Sequence, residues 1–296
     1  MSELVDCINN LSAKDIIKSI AKTANGTPFY LQTTGAGGFC AAFQVVRDAY
    51  VGTIPDVIQL AAQNTMVCTL VDAGLWAKLD IFYVMANGDS PNCDLNWKNP
   101  GTFTLNPIHF PLFTPWEGYT GDGNGSGAGN DYIDTGWDPN TNGVNYKLND
   151  ASYGVYIRNN TLDDGYAIGA ESAAGNRFLF RPRSAGNALL AWINASLSSG
   201  YANVSGSGFW IINRTASNAT EIWQNKISRN TDIDPSFSLS TRDIKLLVWD
   251  DEGVLKNWAL SQESVFYAGA SLIQAEVNIL TDAVEAYMVS NGKGVA

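Results

Sequence analysis

The segment from Gly118 to Asp131 is rich in glycine and carries Asp122, Asn124 and Asp131, whose side chains can donate oxygen ligands. Calcium prefers such oxygen ligands on a backbone that can fold around the ion. The order is not that of an EF-hand loop, because the bidentate Glu at the end of that motif is missing. A phosphate-binding loop is not indicated either, since no Gly-Lys-Ser/Thr follows. The pattern leaves two interpretations, a calcium site or a plain surface loop beside a sheet edge.

Aromatic side chains near this loop suggest a second kind of chemistry. Trp116, Tyr119, Trp137 and Tyr146 lie close to predicted loops, and exposed Trp and Tyr rings stack against sugar rings. They are our candidates for a glycan-binding site, and packing beneath the loops is the alternative. The remaining tryptophans of the predicted strands are expected in the core; they are Trp192, Trp210, Trp223, Trp249 and Trp258.

Catalytic chemistry has little support. The single histidine, His109, lies between two prolines in an apolar segment and is expected to pack there. No Ser or Cys stands in a nucleophile motif. Jelly-roll glucanases carry Glu-x-Asp-x-x-Glu on one strand, whereas Glu171 and Glu221 stand alone here. We therefore predict a protein that is not an enzyme, with polysaccharide cleavage by carboxyl groups from different strands as the remaining alternative.

Charge and cysteine usage narrow the partners. The chain has 29 acidic and 18 basic residues and a net charge of −11, which argues against binding to nucleic acid or to anionic membranes. The first residues lack the basic-then-apolar order of a secretion signal.

The four cysteines give no sign of a metal site. Cys7, Cys40, Cys68 and Cys93 form no Cys-x-x-Cys pair, so zinc is not supported. Free thiols in a cytoplasmically assembled protein are expected, although a disulfide is not excluded. No cofactor is predicted apart from the calcium alternative.

The pattern of apolar residues divides the chain into two parts. Residues 1–95 are predicted to form a helical module for attachment or oligomerisation, with one helix capped near Ser12, another after Pro55, and helical spacing that continues to Tyr83. Residues 96–296 are predicted to form an antiparallel β-sandwich that ends in a helix over 271–291, capped by Ser271.

The predicted strands are short aromatic and β-branched runs separated by Gly, Asn, Asp and Pro. Two local patterns support them. Residues 208–212 are apolar without alternation, which indicates a strand covered on both faces. Residues 249–254 read as a hairpin with an acidic turn that ends in Gly253. The strands are expected at 132–137, 152–158, 166–170, 177–181, 189–194, 209–213, 221–227, 244–249, 254–258 and 265–269.

The order of motifs from Leu75 to about Asn160 resembles a widespread group of phage structural proteins. The most specific piece is Asn96-Trp97-Lys98-Asn99-Pro100-Gly101, and Tyr267-Ala268-Gly269 before the last helix is similar as well. The resemblance covers residues 70–296. It implies a mainly β fold, namely a concanavalin A-like antiparallel sandwich (jelly roll) with the N-terminal helical module and the C-terminal helix. It carries over no catalytic residue.

This resemblance implies a virion protein, assembled in the host cytoplasm, as a head or tail fibre, an appendage or a capsid decoration. Its expected partners are other virion proteins and copies of itself in a trimer or another homo-oligomer. Residues 1–70 are then candidates for docking onto the particle. A glycan-binding module that contacts host-surface polysaccharide is the second hypothesis, and a polysaccharide-cleaving enzyme is the third.

Overall fold

The computed structural model describes residues 38–123, 130–173, 175–196 and 201–295. The predicted helix near Ser12 lies outside these residues, as does Cys7. The helices are α1 Ala41–Asp48, α2 Val57–Asp72, α3 Leu75–Lys78, α4 Ser90–Cys93, α5 Pro139–Asn142 and α6 Gln274–Ser290. The strands are β1 Leu79–Val84, β2 Asn106–Ile108, β3 Leu112–Thr114, β4 Gly118–Thr120, β5 Tyr132–Asp134, β6 Ala151–Ile157, β7 Ile168–Glu171, β8 Arg177–Arg181, β9 Ala188–Ala195, β10 Tyr201–Ala202, β11 Gly208–Ala216, β12 Ala219–Gln224, β13 Ile227–Asp232, β14 Lys245–Leu246, β15 Trp249–Asp251, β16 Val254–Lys256 and β17 Gln262–Gly269.

The strands form two sheets that pack face to face. The first sheet has the order β13-β12-β11-β6-β17-β4-β3, and β1 also pairs with β17. The second has the order β10-β9-β8-β7-β14-β5-β2, extended by β15 and β16. The pairing is antiparallel except between β15 and β7. The predicted mainly β fold, a lectin-like jelly-roll sandwich with a C-terminal helix, is confirmed.

Local sequence explains where the two long helices begin. Asp56 caps α2, because its carboxylate accepts hydrogen bonds from the amides of Ile58 and Gln59, both at 2.9 Å. Glu276 caps α6, because its carboxylate accepts from the amide of Ile273 at 2.9 Å. The predicted cap at Ser271 is therefore wrong by two residues. The helix itself is confirmed.

The helical prediction up to Tyr83 is wrong, because Leu79–Val84 is strand β1. It pairs with β17 from Leu79 opposite Gly269 to Val84 opposite Val265. Nearly all of its residues are buried, and a strand buried on both faces has no alternation that separates it from a buried helix. Residues 79–84 of the predicted module 1–95 thus belong to the sandwich.

Two apolar cores result from this arrangement. The first fills the space between the sheets and includes Trp137, Tyr146, Tyr153, Phe178 and Trp210. The second lies between the outer face of the first sheet and helices α2 and α6, with Leu280 as one of its buried members. Strand β11 serves both, since Trp210 and Ile212 face the first core while Phe209 and Ile211 face the second. The prediction of a strand covered on both faces is confirmed.

A disulfide joins Cys40, at the start of α1, to Cys68 in α2, with Cα atoms 6.0 Å apart. The expectation of free thiols is therefore wrong for this pair. Their distance in sequence hid the pairing, because only the fold brings α1 beside α2. Cys93 is free and buried. Among the described residues, no helix has the length and apolarity needed to cross a membrane.

Candidate binding cleft

The sandwich is open along one edge, where β10 ends the second sheet and β13 ends the first. A cleft with a volume of ≈ 200 Å³ lies between these two strands. Strands β9 to β13 and the turn after β10 supply its walls. The residues that line it are Leu189, Tyr201, Ala202, Asn203, Val204, Trp210, Ile222, Arg229 and Asn230.

The floor of the cleft is apolar and fixed. Leu189, Trp210 and Ile222 are all buried and belong to the core between the sheets. The indole N–H of Trp210 donates to the carbonyl of Gly206 at 2.8 Å, which ties the floor to the loop after β10. These buried side chains support the cleft from below, and the apolar surface that a ligand can touch lies on its walls, for example at the exposed Val204.

Tyr201 forms one wall and links the two sheets. Its hydroxyl donates to the carboxylate of Asp232 at 2.6 Å, so β10 of the second sheet is bonded to β13 of the first. A smaller cavity lies on the other side of Tyr201 and is lined by Arg214 and Asp234 among others. Arg214 is 1% exposed, and burial lowers the pKa of its guanidinium. It donates to backbone carbonyls, including that of Ile193 at 2.8 Å, and so closes the interior of the sandwich.

Two amide side chains lie at the rim of the cleft. Asn203 donates to the carbonyl of Ser205 at 2.8 Å, which holds the loop after β10 in a tight turn. Asn230 on β13 donates to the carbonyl of its neighbour Thr231 at 3.0 Å. Arg229 enters the cleft beside Asn230. Apolar walls with amide and guanidinium groups at the rim suit a ligand that has both C–H faces and hydroxyl or acid groups.

Three of the four predicted glycan-binding rings lie elsewhere. Trp137 and Tyr146 are fully buried in the core between the sheets, and Tyr119 is 2% exposed. The rings of Trp137 and Tyr146 pack edge to face, with centroids 5.7 Å apart. A ring without an exposed face cannot stack on a sugar at the surface, so the structure corrects these three assignments. Trp116 is half-buried, with its ring against Gly88.

The five tryptophans predicted in the core divide into two groups. Trp192, Trp210 and Trp223 are buried, as expected, but Trp249 and Trp258 are half-buried. Trp192, Tyr166 and Trp249 form a row on the outer face of the second sheet, with centroids 6.2 and 5.1 Å apart along it. A cation lies over each ring, in the order Arg177, Arg181 and Lys256. Because these cations already cover the ring faces, the row is a weaker candidate for sugar stacking than the cleft.

Of the predicted calcium ligands, Asn124 lies outside the described residues. The carboxylate of Asp122 accepts hydrogen bonds from the amides of Asn130 and Asp131, at 3.1 and 3.2 Å. Burial, and secondly the charge of Asp122, raise the pKa of Asp131. The parts of the chain that the structure describes contain no cluster of three acidic, His or Cys side chains that could hold a metal. The calcium site therefore stays a prediction.

The acidic residues considered for catalysis have other partners. Glu171 pairs with Arg177 at 2.9 Å, and Glu221 accepts a hydrogen bond from the hydroxyl of Ser228 at 2.5 Å. Glu263, which the sequence did not single out, is fully buried, and burial raises the pKa of its carboxyl group well above the ordinary value. His109 is exposed rather than packed, with a positive φ of 59°, so that expectation is wrong.

No protein-family model matches the chain, and no curated protein sequence matches it. The structure is similar to that of a botulinum neurotoxin type C whose cell entry depends on two ganglioside molecules, with a TM-score of 0.52 and 13% identity over 72% of this chain. It is also similar to the binding domain of botulinum neurotoxin DC in complex with rat synaptotagmin II, with a TM-score of 0.50 and 12% identity over 71% of this chain. The same domain in complex with SialylT matches with a TM-score of 0.51 and 13% identity over 71% of this chain.

These matches cover 53%, 52% and 52% of the three neurotoxin chains, so this chain corresponds to about half the length of each. At such low identity the similarity shows the fold alone. It supports the β-sandwich and gives no residue of this chain a role.

The residues of the cleft were not among the sequence candidates. Tyr201 follows a segment rich in Ser and Gly, and Arg229 lies in a stretch for which we predicted no element. The one available signal was a basic residue close to aromatic residues in a chain of net charge −11. Only the meeting of two sheet edges makes these residues neighbours.

Proposed function

We propose that this chain is a non-enzymatic carbohydrate-binding β-sandwich and that its glycan binds in the cleft between β10 and β13. The observation that carries the proposal is the combination of accessible apolar walls, at Tyr201, Ala202 and Val204, with amide and guanidinium groups at the rim. A sugar ring has apolar C–H faces and hydrogen-bonding edges, and both parts find a counterpart here.

The size of the cleft sets the size of the ligand. Pockets that enclose a drug-sized molecule measure roughly 300–1,000 Å³. A volume of ≈ 200 Å³ therefore suits one sugar ring that belongs to a longer, mostly solvent-exposed chain. A contact with a single sugar ring gives weak binding by one copy of the protein. Several copies on one particle would bind the glycan more strongly through multivalency.

We further propose that the protein acts on a phage particle, as a fibre, appendage or decoration that contacts host-surface polysaccharide. The sequence resemblance of residues 70–296 supports this part. The neurotoxin structures support glycan binding. Cell entry of one neurotoxin depends on ganglioside molecules, and the binding domain of another was solved in complex with SialylT. A homo-oligomer on the particle would bring several clefts together.

The cleft is tested by filling it. Ala202 lines the cleft and is exposed, so Ala202→Trp places a large side chain in the cleft without removing a contact. Ala77, exposed on α3, gives the matched control Ala77→Trp. We expect the wild-type chain and Ala77→Trp to bind host-surface polysaccharide in isothermal titration, and Ala202→Trp to lose binding at unchanged thermal stability. Equal binding by all three proteins would move the glycan to another surface.

The proposal that the protein belongs to a phage particle is tested by mass spectrometry of purified phage, which also gives its copy number per virion. A copy number in ratio with the capsid lattice would indicate a decoration or head fibre, and a few copies would indicate a tail part. Absence from the particle would overturn the virion proposal and leave the glycan-binding proposal standing.

A further inference from the structure

Arg229 is the single charged side chain among the described residues that line the cleft. It forms no ion pair within the described part of the chain, where the other cations of the sheet faces mostly have carboxylate partners such as Asp134 for Lys245. Asp234 lines the smaller cavity behind Tyr201 and not the cleft. In a protein of net charge −11, an arginine left without a carboxylate at a concave site calls for an explanation.

A β-bulge points to the same residue. Ile222 on β12 lies opposite Asn230, and the next residue, Trp223, lies opposite Ser228. Arg229 is thus the extra residue between them, without a partner in the register. A bulge bends the strand and redirects a side chain, and such irregularities recur at binding sites. Here the bulge brings Arg229 and its neighbour Asn230 to the same cleft, although strict alternation would send them to opposite faces.

Gln224 fixes the orientation of the guanidinium. Its side-chain oxygen accepts from Nε of Arg229 at 2.8 Å and from Nη2 at 2.5 Å. Its side-chain nitrogen donates to the carbonyl of Ser207 at 2.7 Å, on the loop that borders the cleft. Gln224 is 2% exposed, so the amide that links β13 to the loop is itself held in the interior. The arginine is held by a neutral amide, which sets its direction and leaves its charge uncompensated.

The bonds to Gln224 use one edge of the guanidinium and leave the other open. A guanidinium has five N–H donors in a planar fork, and Nε with one N–H of Nη2 bind Gln224. The two N–H groups of Nη1 and the second of Nη2 remain for a ligand. This pair of nitrogens matches the two oxygens of a carboxylate.

We infer that the glycan of the cleft is acidic and that Arg229 binds its carboxylate through this open edge. The inference rests on the proposed function and names its ligand class, a carboxylate-bearing sugar such as a uronic or sialic acid residue. The accessible walls at Tyr201 and Val204 would contact the ring of the sugar, and Gln224 acts as a positioning residue for Arg229.

The test compares acidic polymers with their neutral counterparts. The probes are a polyuronate and a polysialate, each beside its own carboxyl-reduced form, titrated calorimetrically against the full chain. We expect at least one acidic polymer to bind about 10–100-fold more tightly than its reduced form, as a charge-assisted bidentate contact predicts. Which of the two binds identifies the source of the carboxylate.

Three variants and one control test whether Arg229 is the source of the preference for acidic polymers. Arg229→Gln is expected to bind the acidic polymer no better than the reduced one, and Arg229→Lys to fall between, because a lysine keeps the charge but not the fork. The matched control is Lys226→Gln, which removes an exposed cation from the turn before β13 and is expected to bind like the wild type. Gln224→Leu should weaken acid recognition while Arg229 is still present.

The possible results distinguish a failure of the acidic-ligand inference from a failure of the proposed glycan-binding function. Equal binding of acidic and reduced polymers, or acid preference that survives in Arg229→Gln, would overturn the acidic-ligand inference and leave a glycan-binding cleft. Binding of none of the four polymers, together with failure of the Ala202→Trp comparison on host polysaccharide, would overturn the proposed function itself.

Discussion

The first sheet meets two different surroundings, at its helix-covered face and at its open edge. Its outer face is buried beneath α2 and α6, and two tyrosines there bond within the protein: Tyr50 donates to Gln63 at 2.9 Å, and Tyr287 donates to the carbonyl of Ala86 at 2.5 Å. At the open edge, Arg229 bonds to one neutral amide and keeps free donors.

The difference separates a face that stabilises the fold from an edge that we propose binds a ligand. On the covered face, each buried polar group needs a partner within the protein, because water cannot reach it. At the edge, water satisfies the same groups until a ligand replaces it. Substitutions on the covered face should therefore change the free energy of unfolding, and substitutions at the edge should change affinity.

The largest expected effect is on the covered face. Leu280 of α6 is fully buried against the first sheet, so Leu280→Ala should lower the free energy of unfolding by about 4 kcal/mol through lost burial and a cavity. Ile227 on β13 is 57% exposed, so Ile227→Ala is the matched edge variant, expected within about 0.5 kcal/mol of the wild type. Urea denaturation measures both. A similar loss of unfolding free energy in the two variants would contradict the distinction between the covered face and the open edge.

The next effect concerns the disulfide on the same side. Cys40 and Cys68 are 28 residues apart, and closing a loop of this length stabilises a protein by about 3.5 kcal/mol. The double variant Cys40→Ser, Cys68→Ser should lose about this amount, and reduction of the wild type should match it. Glycan affinity should not change. Thiol counting by mass spectrometry without reductant is the control, and three or more free thiols in the oxidised protein would contradict the bond.

A smaller effect depends on pH. Burial raises the pKa of Asp94 to about 6, partly offset by the hydrogen bond from Tyr119. The folded protein therefore keeps a proton that the unfolded chain releases at lower pH, and stability should fall as pH rises from about 4 to about 6. Asp94→Asn cannot ionise and should be more stable than the wild type by about 2 kcal/mol at pH 7.

Urea denaturation between pH 4 and pH 8 tests this prediction. The difference between Asp94→Asn and the wild type should be close to zero at the acidic end and largest above pH 6. Binding of a neutral sugar at the cleft should show no step in the same range, because Asp94 bonds to Tyr119 and does not line the cleft. A stability difference that is constant with pH would mean that Asp94 titrates normally.

The sequence predicted the covered parts of this fold better than the edge. The start of α2 after Pro55 and the doubly buried strand β11 follow from local patterns. The acidic turn before Gly253, which joins β15 to β16, does so as well. Prediction failed for β1, where burial on both faces removes the alternation. It also failed for the run 244–249, which a positive φ of 68° at Leu247 divides into β14 and β15.

The candidate site could not be read from local patterns at all. Its position depends on two strands that end different sheets, Tyr201–Ala202 and Ile227–Asp232, which lie 25 residues apart at their nearest ends and share no motif. The bulge at Arg229 depends on register between β12 and β13, and an isolated sequence does not show register. Trp137 and Tyr146 were chosen for their distance to loops, whereas burial decides whether a ring can bind.

The smallest expected effect lies where the two surroundings meet, at Tyr201. Tyr201→Phe removes the hydrogen bond to Asp232 and keeps the ring that borders the cleft. Because water can reach a half-buried carboxylate, the loss of unfolding free energy should be about 1 kcal/mol. Affinity should change by less than about threefold, since the ring and Arg229 remain. Calorimetric titration beside urea denaturation measures both quantities. A loss of affinity much larger than the loss of stability would mean that the bond between the sheets shapes the cleft, and that the edge is built for its ligand rather than left open beside a stable sandwich.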